Sequence, residues 1–423
     1  MVHSLGENRV DFVFLYHPHP YDIDPGAQLG LGMLLLATYA KELGASVRVL
    51  NAQSMTIPEA IDIVPDCEYL MMYGCLIDKP IVKEICASVN KAKYTCLGGP
   101  IAKCIKATRA NRFNFVVDGF GEDFIHFLIN LMYPNHRLPF TTLKYPIDAY
   151  PFPDRSLIEG GYGGNIFKHG DAKCEVSTTL LTSRGCRYNC AFCTSGRDGF
   201  FEEYSLDRIE RELEHCLSLG ICNIRISDDN LISNRERLSR LCNVFKEAKV
   251  KWRGSIRVTP NGVNMYQMMK ESGCEELSFG IESGDQAVLN LLNKGATVSQ
   301  NIKAIRNAEK AGILTRALMM MGTPGETNDT VYKNMGWVEA SGVDMVSLKM
   351  FIPYPGTDIY HNPKKYKCHI HLPLTEVNNS AYRPDKSEPK ANIDSEKLFQ
   401  EELTWQFLKM KNYLEIKGIE NRG

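Results

Sequence analysis

From Val10 to Asn130 short apolar runs alternate with helix-length stretches whose apolar positions recur every three or four residues. Such alternation predicts a parallel sheet covered by helices on both faces. The expected strands are 11–16 (DFVFLY), 46–50 (SVRVL), 69–73 (YLMMY), 94–98 (YTCLG) and 115–119 (FVVDG), with helices starting near Gly30 and covering Ile81 to Ala92. Glycines stand at the predicted strand ends: Gly30 with Gly32, Gly98 with Gly99, and Gly119 with Gly121. In a doubly wound sheet ligands lie outside the carboxyl ends of the strands, so these glycines mark either a ligand crevice or simply tight turns.

Between Tyr133 and Ile158 five prolines crowd (Pro134, Pro139, Pro146, Pro151, Pro153) and the helical pattern stops, which predicts an interdomain linker. A second alternation follows, with strands at 176–182, 221–227, 250–258, 276–281, 314–321 and 343–352 and helices including 206–220, 235–248 and 331–342. Six βα units in about 180 residues fall short of a closed eight-stranded barrel and leave an open side for a large substrate. The fold expected is therefore α/β: a Rossmann-like doubly wound domain over 1–132, a linker over 133–174, a partial (β/α)6 TIM-type barrel over 175–360, and a small C-terminal extension over 361–423 with one amphipathic helix at 395–416. No GxGxxG follows the first strand, which argues against a nicotinamide or flavin site.

Composition changes this picture little. Hydrophobic residues are 44% and charged residues 23%, the proportions of an ordinary globular protein. Forty-nine basic against 50 acidic residues give a net charge of -1, so no overall field draws a nucleic acid. No apolar run reaches the ~18 residues of a membrane span, and Met1 to Arg9 lacks the apolar core of a signal peptide, so a cytoplasmic protein with no membrane partner is expected. Fourteen cysteines in so long a chain without a signal peptide point to reduced thiols rather than a disulfide framework. Eleven of them have no ligand spacing and are expected to be inert and buried, Cys174 and Cys222 among them.

The other three stand in SRGCRYNCAFCTSG, a C-x3-C-x2-C spacing of Cys186, Cys190 and Cys193 just past the first predicted barrel strand. Barrel enzymes keep their chemistry at that end of the strands. Three thiolates can hold three irons of a cubane cluster and leave the fourth open. Zinc, as in a non-catalytic binding protein, is the competing reading, but a structural zinc site takes four ligands and the nearest histidine is His169.

These residues resemble the radical S-adenosylmethionine (radical SAM) superfamily in spacing, in Phe192 before the third cysteine and in position after a first barrel strand. The resemblance implies a 4Fe-4S cluster whose open iron chelates SAM, and reductive cleavage of SAM to a 5'-deoxyadenosyl radical that abstracts a substrate hydrogen atom. It extends to IRISDDN (224–230), GIESG (280–284), GTPGET (322–327) and FIPYPGT (351–357). On that footing Ser227 and Asp228 are candidates for the SAM amino group, Glu282 and Ser283 for its ribose or methionine part, and Arg316 for its carboxylate, with Phe192 and Gly322 nearby. Met319 to Met321 and Tyr354 would line a substrate pocket or fill the core.

LGLGMLLLATYAKELGASVRVLN, CLGGPIAK, VVDGFGED and the linker YPFPDRSLI resemble radical SAM enzymes with an amino-terminal cobalamin-binding domain. Gly30, Gly98, Gly99, Gly119 and Glu122 are the matching cobalamin-binding candidates. The D-x-H-x-x-G signature of methionine synthase-like domains is absent, and His17 and His19 are read as loop residues rather than cobalt ligands. The function so implied is cobalamin-dependent methylation of an unactivated carbon of a small metabolite or natural-product intermediate. The alternative is cobalamin-independent dehydration, epimerisation, rearrangement or cyclisation with a vestigial first domain. Flavodoxin or ferredoxin would supply electrons. A tRNA-modifying methylthiotransferase is disfavoured, because the five cysteines of the first domain form no second ligand set and no basic C-terminal domain follows.

Overall fold

The computed structural model describes residues 9–18, 29–75, 78–102, 112–133, 146–161, 174, 176–196, 199–258, 263–371 and 390–421. The chain divides into two compact units, one of Met1–Phe167, Lys173–Thr179 and Asp207–Ile221, the other of Lys168–Ala172, Leu180–Leu206 and Cys222–Gly423. None of the described helices is long and apolar enough to cross a membrane.

In the first unit the strands are β1 (Val10–Tyr16), β2 (Val47–Asn51), β3 (Cys67–Tyr73), β4 (Ala92–Gly98), β5 (Phe115–Val116) and β6 (Ile158–Glu159). They pair in parallel in the order β5-β4-β3-β1-β2-β6. Side chains of β1 alternate between two cores. Phe12 and Phe14 face Met33, Leu34 and Ala37 of the helix Leu31–Glu42 and Ile125 and Leu128 of the helix Gly121–Met132. Val13 and Leu15 face Ala60, Ile81 and Ile85 of two helices on the other side. Both faces are thus apolar and covered, as a central parallel strand requires. The expected strand 115–119 pairs only at two residues, because the chain turns off at Gly119 with φ +134°. Ile158–Glu159, expected within the linker, pairs with β2 as an edge strand.

The helix Leu206–Ser218, expected as part of the barrel, falls almost wholly in the first unit. There its buried Glu212 accepts from Arg155 at 2.6 Å and Arg208 at 3.2 Å. A carboxylate bridging two guanidiniums satisfies charges that would otherwise be costly to bury. Cys174 and Cys222, expected as free thiols, are disulfide-bonded, which corrects the all-reduced expectation.

The remaining strands are β7 (Ser177–Leu180), β8 (Ser183–Gly185), β9 (Phe201–Glu203), β10 (Asn223–Ile226), β11 (Lys251–Arg257), β12 (Cys274–Glu282), β13 (Leu314–Met321), β14 (Met345–Met350), β15 (Cys368–Ile370), β16 (Ile393–Ser395) and β17 (Glu420–Asn421). Seven of them form one sheet in the order β17-β14-β13-β12-β11-β10-β7. Strand order follows chain order from β7 to β14, the arrangement in which each βα unit lays the next strand beside the last. The six expected strands are all present, and β17 adds a seventh beside β14. The C-terminal helix spans Gln400–Ile416 and begins later than expected, since Ile393–Ser395 is a strand paired with β15. It buries Leu403, Phe407, Met410 and Leu414.

Candidate functional site

The cysteine loop runs from the end of β8 and returns through β9, which pairs with β8 as an antiparallel hairpin. Its backbone is locked to other carboxyl-end segments of the second unit. Ala191 N–H donates to Leu292 at 2.9 Å, Asn293 donates to the Asn189 carbonyl at 2.8 Å, and Ile359 N–H donates to the Ala191 carbonyl at 3.2 Å. Ser195 Oγ donates to Asp229 at 2.8 Å, past the end of β10. The turn is so tight that a Cβ at Gly196 would lie 1.6 Å from the Tyr188 carbonyl oxygen. Only glycine fits there.

Cys190 is buried, while Cys186 and Cys193 are partly exposed. Arg257, the last residue of β11, donates to Cys190 Sγ at 3.0 Å and stacks on the Tyr188 ring at 4.0 Å. Burial pushes the Cys186 thiol up against a backbone hydrogen bond at Tyr188, and the charges of Asp229, Cys193 and Cys190 push it further, so a bare thiolate is disfavoured at Cys186. A bound cation would relieve that repulsion, and soft thiolates fit iron. Among the described residues no three His, Cys, Asp or Glu side chains stand together as a finished metal cage.

Beside the loop, Glu282 ends β12 at φ +66°, where the pairing with β13 shifts register. A non-glycine residue in the left-handed region is strained, and such strain collects at functional sites. The buried Lys294 ammonium holds its carboxylate at 2.6 Å and lies 5.9 Å from the Phe192 ring centroid. Phe192, Glu282 and Lys294 therefore group together next to the three cysteines. Lys294 and Arg257 carry no spacing signal that sequence reading could have used.

The other expected SAM residues are placed differently. Asp228 spends both carboxylate oxygens on the Thr182 N–H and the Thr182 and Ser183 hydroxyls, and burial raises its carboxyl against those bonds. It braces the strand ends. Ser227 is exposed, its N–H bonded to the Leu180 carbonyl at 2.8 Å. Ser283 turns away to Asn334 at 3.2 Å. Arg316 is only the third residue of β13, roughly 16 Å of strand short of the carboxyl end at ~3.3 Å per residue. It pairs with Glu276 at 2.7 Å, which Arg253 also approaches at 3.8 Å. Met319 and Met321 fill the core, and Tyr354 is exposed.

Gly322, at φ +81°, opens the turn after β13, and its missing Cβ leaves room for Met350 Sδ, 2.7 Å from where that Cβ would be. In the same turn Glu326 is fully buried, with one carboxylate oxygen accepting from Thr323 N–H at 2.8 Å and Thr323 Oγ1 at 2.9 Å. Its other oxygen has no hydrogen-bond partner among the described residues. Desolvation raises this carboxyl to about 7 against the Thr323 bonds.

A second candidate edge lies in the first unit, at the carboxyl ends of β1, β3 and β4. Gly30 starts the helix Leu31–Glu42 and its carbonyl accepts from Tyr16 Oη at 2.8 Å. A Cβ at Gly98 or Gly119 would meet nothing within 4 Å among the described residues. Glu122 is buried in the first turn of the helix Gly121–Met132. Both ring nitrogens of His17 face carbonyls, Pro18 at 3.0 Å and Tyr73 at 2.8 Å, which fits a loop role better than a metal ligand. His19 lies outside the described residues.

Residues 180–338 match the family model of the radical SAM superfamily. The match spans this one segment, less than half of the chain. The chain is an enzyme with a radical SAM domain, a fold that implies a 4Fe-4S cluster and SAM, and Cys186, Cys190 and Cys193 are the candidate ligands. An uncharacterized methyltransferase of Pyrococcus horikoshii is 25% identical over 364 residues, 78% of this chain and 77% of that one. The radical SAM methyltransferase TsrM of Kitasatospora setae, solved with tryptophan and a SAM analog, has a TM-score of 0.62 at 15% identity and covers 86% of this chain and 79% of its own. OxsB, a cobalamin-dependent radical SAM enzyme solved with aqua-cobalamin and SAM, has a TM-score of 0.60 at 19% identity, over 97% of this chain and 62% of its own. At those identities the two structures establish the fold, including the Rossmann-like first domain.

Proposed function

We propose that this enzyme is a cobalamin-dependent radical SAM methyltransferase acting on an unactivated carbon of a small molecule. The observation that carries the reading is the pairing, in one chain, of a cysteine loop at the carboxyl edge of one parallel sheet with a glycine-lined edge on another. Solved cobalamin-bound enzymes share this fold, and relatives named as methyltransferases share the sequence. When bound, the cluster, SAM and cobalamin would supply the radical and the methyl group.

The chain's own residues then bind, orient and shield. Cys186, Cys190 and Cys193 would hold the cluster, with the Arg257 guanidinium donating to the Cys190 sulfur. The Glu282–Lys294 pair, fixed by burial, presents polar atoms beside Phe192 where SAM would lie. Gly98 and Gly119 let a large flat ligand approach the backbone of the first sheet. Electrons would come from a small reductant such as flavodoxin or ferredoxin. The test is cofactor content: full-length protein, reconstituted anaerobically with iron, sulfide and hydroxocobalamin, retains about four irons per chain and cobalamin through gel filtration. Iron without cobalamin would remove the methyltransferase reading and leave radical chemistry of another kind.

A further inference from the structure

The strands β10 to β14 of the second sheet have two unlike faces. On one, Trp252 of β11 packs against Phe245 of the helix Arg235–Glu247 with ring centroids 5.3 Å apart, and Phe279 of β12 against Tyr266 of the helix Val263–Glu271 at 6.2 Å. Their neighbours on that face, Ile224, Leu277, Ala317 and Val346, are fully buried. Successive side chains of a strand alternate, so the residues between them point away from the helices. Along β13 the alternation is complete: Thr315, Ala317, Met319 and Met321 are buried, whereas Leu314, Arg316, Leu318 and Met320 are partly exposed.

The face turned from the helices is charged. Register sets Arg225 of β10 beside Arg253 of β11, Arg253 beside Glu276 of β12, and Lys349 of β14 beside Met320 of β13. Glu276 pairs with Arg316 at 2.7 Å and faces Arg253 at 3.8 Å, with all three side chains largely buried. Glu275, at the bulge where β11 and β12 shift register, is held instead by Lys270 at 2.9 Å and Lys251 at 2.7 Å. Apart from the groups at the cysteine loop, Arg225, Arg253, Arg316 and Lys349 thus share this face with one carboxylate, Glu276, among the described residues. One acid and one base would be enough to tie neighbouring strands, and each further buried charge is costly unless balanced. An excess of positive charge in a mostly buried place favours an anion.

Resting on the small-molecule methyltransferase reading above, we infer that this face seats the substrate and that the substrate is an organic anion, its phosphate or carboxylate group held by these four cations. Guanidinium forks match the oxygens of either group. Leu318 and Met320, on the same face between Arg316 and the carboxyl end of β13, offer apolar surface to a carbon skeleton. Arg257, four residues along β11 from Arg253, donates to Cys190 at 3.0 Å. The anion seat therefore lies ~13 Å of strand, at ~3.3 Å per residue, from the cysteine loop, which leaves length for that skeleton between them.

The test uses full-length reconstituted protein, with inorganic phosphate and succinate as probes of the two anions in isothermal titration calorimetry. At least one of them binds. The double variant Arg225→Gln with Lys349→Met, which leaves the Arg253–Glu276–Arg316 network in place, binds it at least about tenfold more weakly, as expected for losing charge-assisted contacts. Iron content equal to that of the wild type checks its folding. Neither probe bound by the wild type, or equal binding by the double variant, overturns the inference. A small-molecule extract of the source organism is then split on an anion-exchange resin, and each fraction is given to reduced enzyme with cobalamin and methyl-deuterated SAM. The retained fraction should yield the labelled product. Phosphatase treatment of that fraction removes the product if the anion is a phosphate ester and spares it if the anion is a carboxylate, and both results uphold the inference. Labelled product from the unretained fraction overturns it and leaves the methyltransferase reading standing. 5'-Deoxyadenosine driven by the retained fraction without transfer of label removes the methyltransferase reading and leaves the anionic substrate in place.

Discussion

The glycines near the carboxyl edges of the two parallel sheets serve different purposes. In the second unit the missing Cβ is claimed by the chain itself: by the Tyr188 carbonyl at Gly196, the Phe200 carbonyl at Gly185 and the Lys294 ammonium at Gly280. In the first unit a Cβ at Gly99 would meet the Tyr73 ring at 2.5 Å and one at Gly121 would meet Leu36 at 2.6 Å, while one at Gly98 or Gly119 would meet nothing within 4 Å among the described residues. Arg257, Lys294 and Glu282 crowd around the cysteine loop, whereas the first sheet's edge carries both filled and unfilled glycine positions among the described residues. Glycine at a strand end therefore has two meanings, and only the surrounding atoms tell them apart.

The largest effect that could break this contrast is on the cluster. Replacing Cys186, Cys190 and Cys193 together by Ala abolishes iron binding and SAM cleavage; iron analysis and the brown chromophore report it. Survival of iron would move the cluster elsewhere. Next is Gly196→Ala. A methyl group 1.6 Å from the Tyr188 oxygen forces the loop open, which costs at least the ~1–3 kcal/mol of an overpacked site, and iron incorporation fails while far-ultraviolet circular dichroism stays unchanged. Normal iron content in that variant would mean that the loop is looser than the geometry shows.

Glu326 probes the same edge through pH. Its folded-state carboxyl sits at about 7 against an ordinary 4.5, so burial favours the protonated form. That contribution is present in full below pH 4.5 and is lost as pH rises through 7, about 3 kcal/mol in all at 1.36 kcal/mol per unit. Urea unfolding between pH 5 and 8.5 should show stability falling for the native chain and a flatter profile for Glu326→Gln. The smallest structural effect belongs to the first sheet's edge. Gly98→Leu changes stability by less than ~0.5 kcal/mol, since its side chain enters open space, yet it weakens cobalamin retention. Undiminished retention would show that the backbone of Gly98 is not where the cofactor rests.

Much of the fold could be read in advance because long strands and helices carry periodic apolar positions. β13 was legible to the residue, and β1, β4 and β11 within two residues at each end. β6 and β17 were not, because a two-residue strand has no period to detect and joins the sheet only through its backbone. At the site, the cysteines were legible because their spacing is local. Arg257 and Lys294 were not, since sheet register and a buried ion pair bring them to the loop from 67 residues away in one case and through a partner 12 residues away in the other. Arg316 shows the reverse: its place on a motif-bearing strand was visible, but its depth along that strand and its pairing with Glu276 were not.

Product stoichiometry reads the methyl-transfer chemistry directly. Reduced enzyme, supplied with cobalamin, methyl-deuterated SAM and a small-molecule extract of its source organism, should form S-adenosylhomocysteine and 5'-deoxyadenosine in nearly equal amounts and transfer the labelled methyl to a product. Substrate-dependent 5'-deoxyadenosine with no S-adenosylhomocysteine, no transferred label and no response to cobalamin would contradict it.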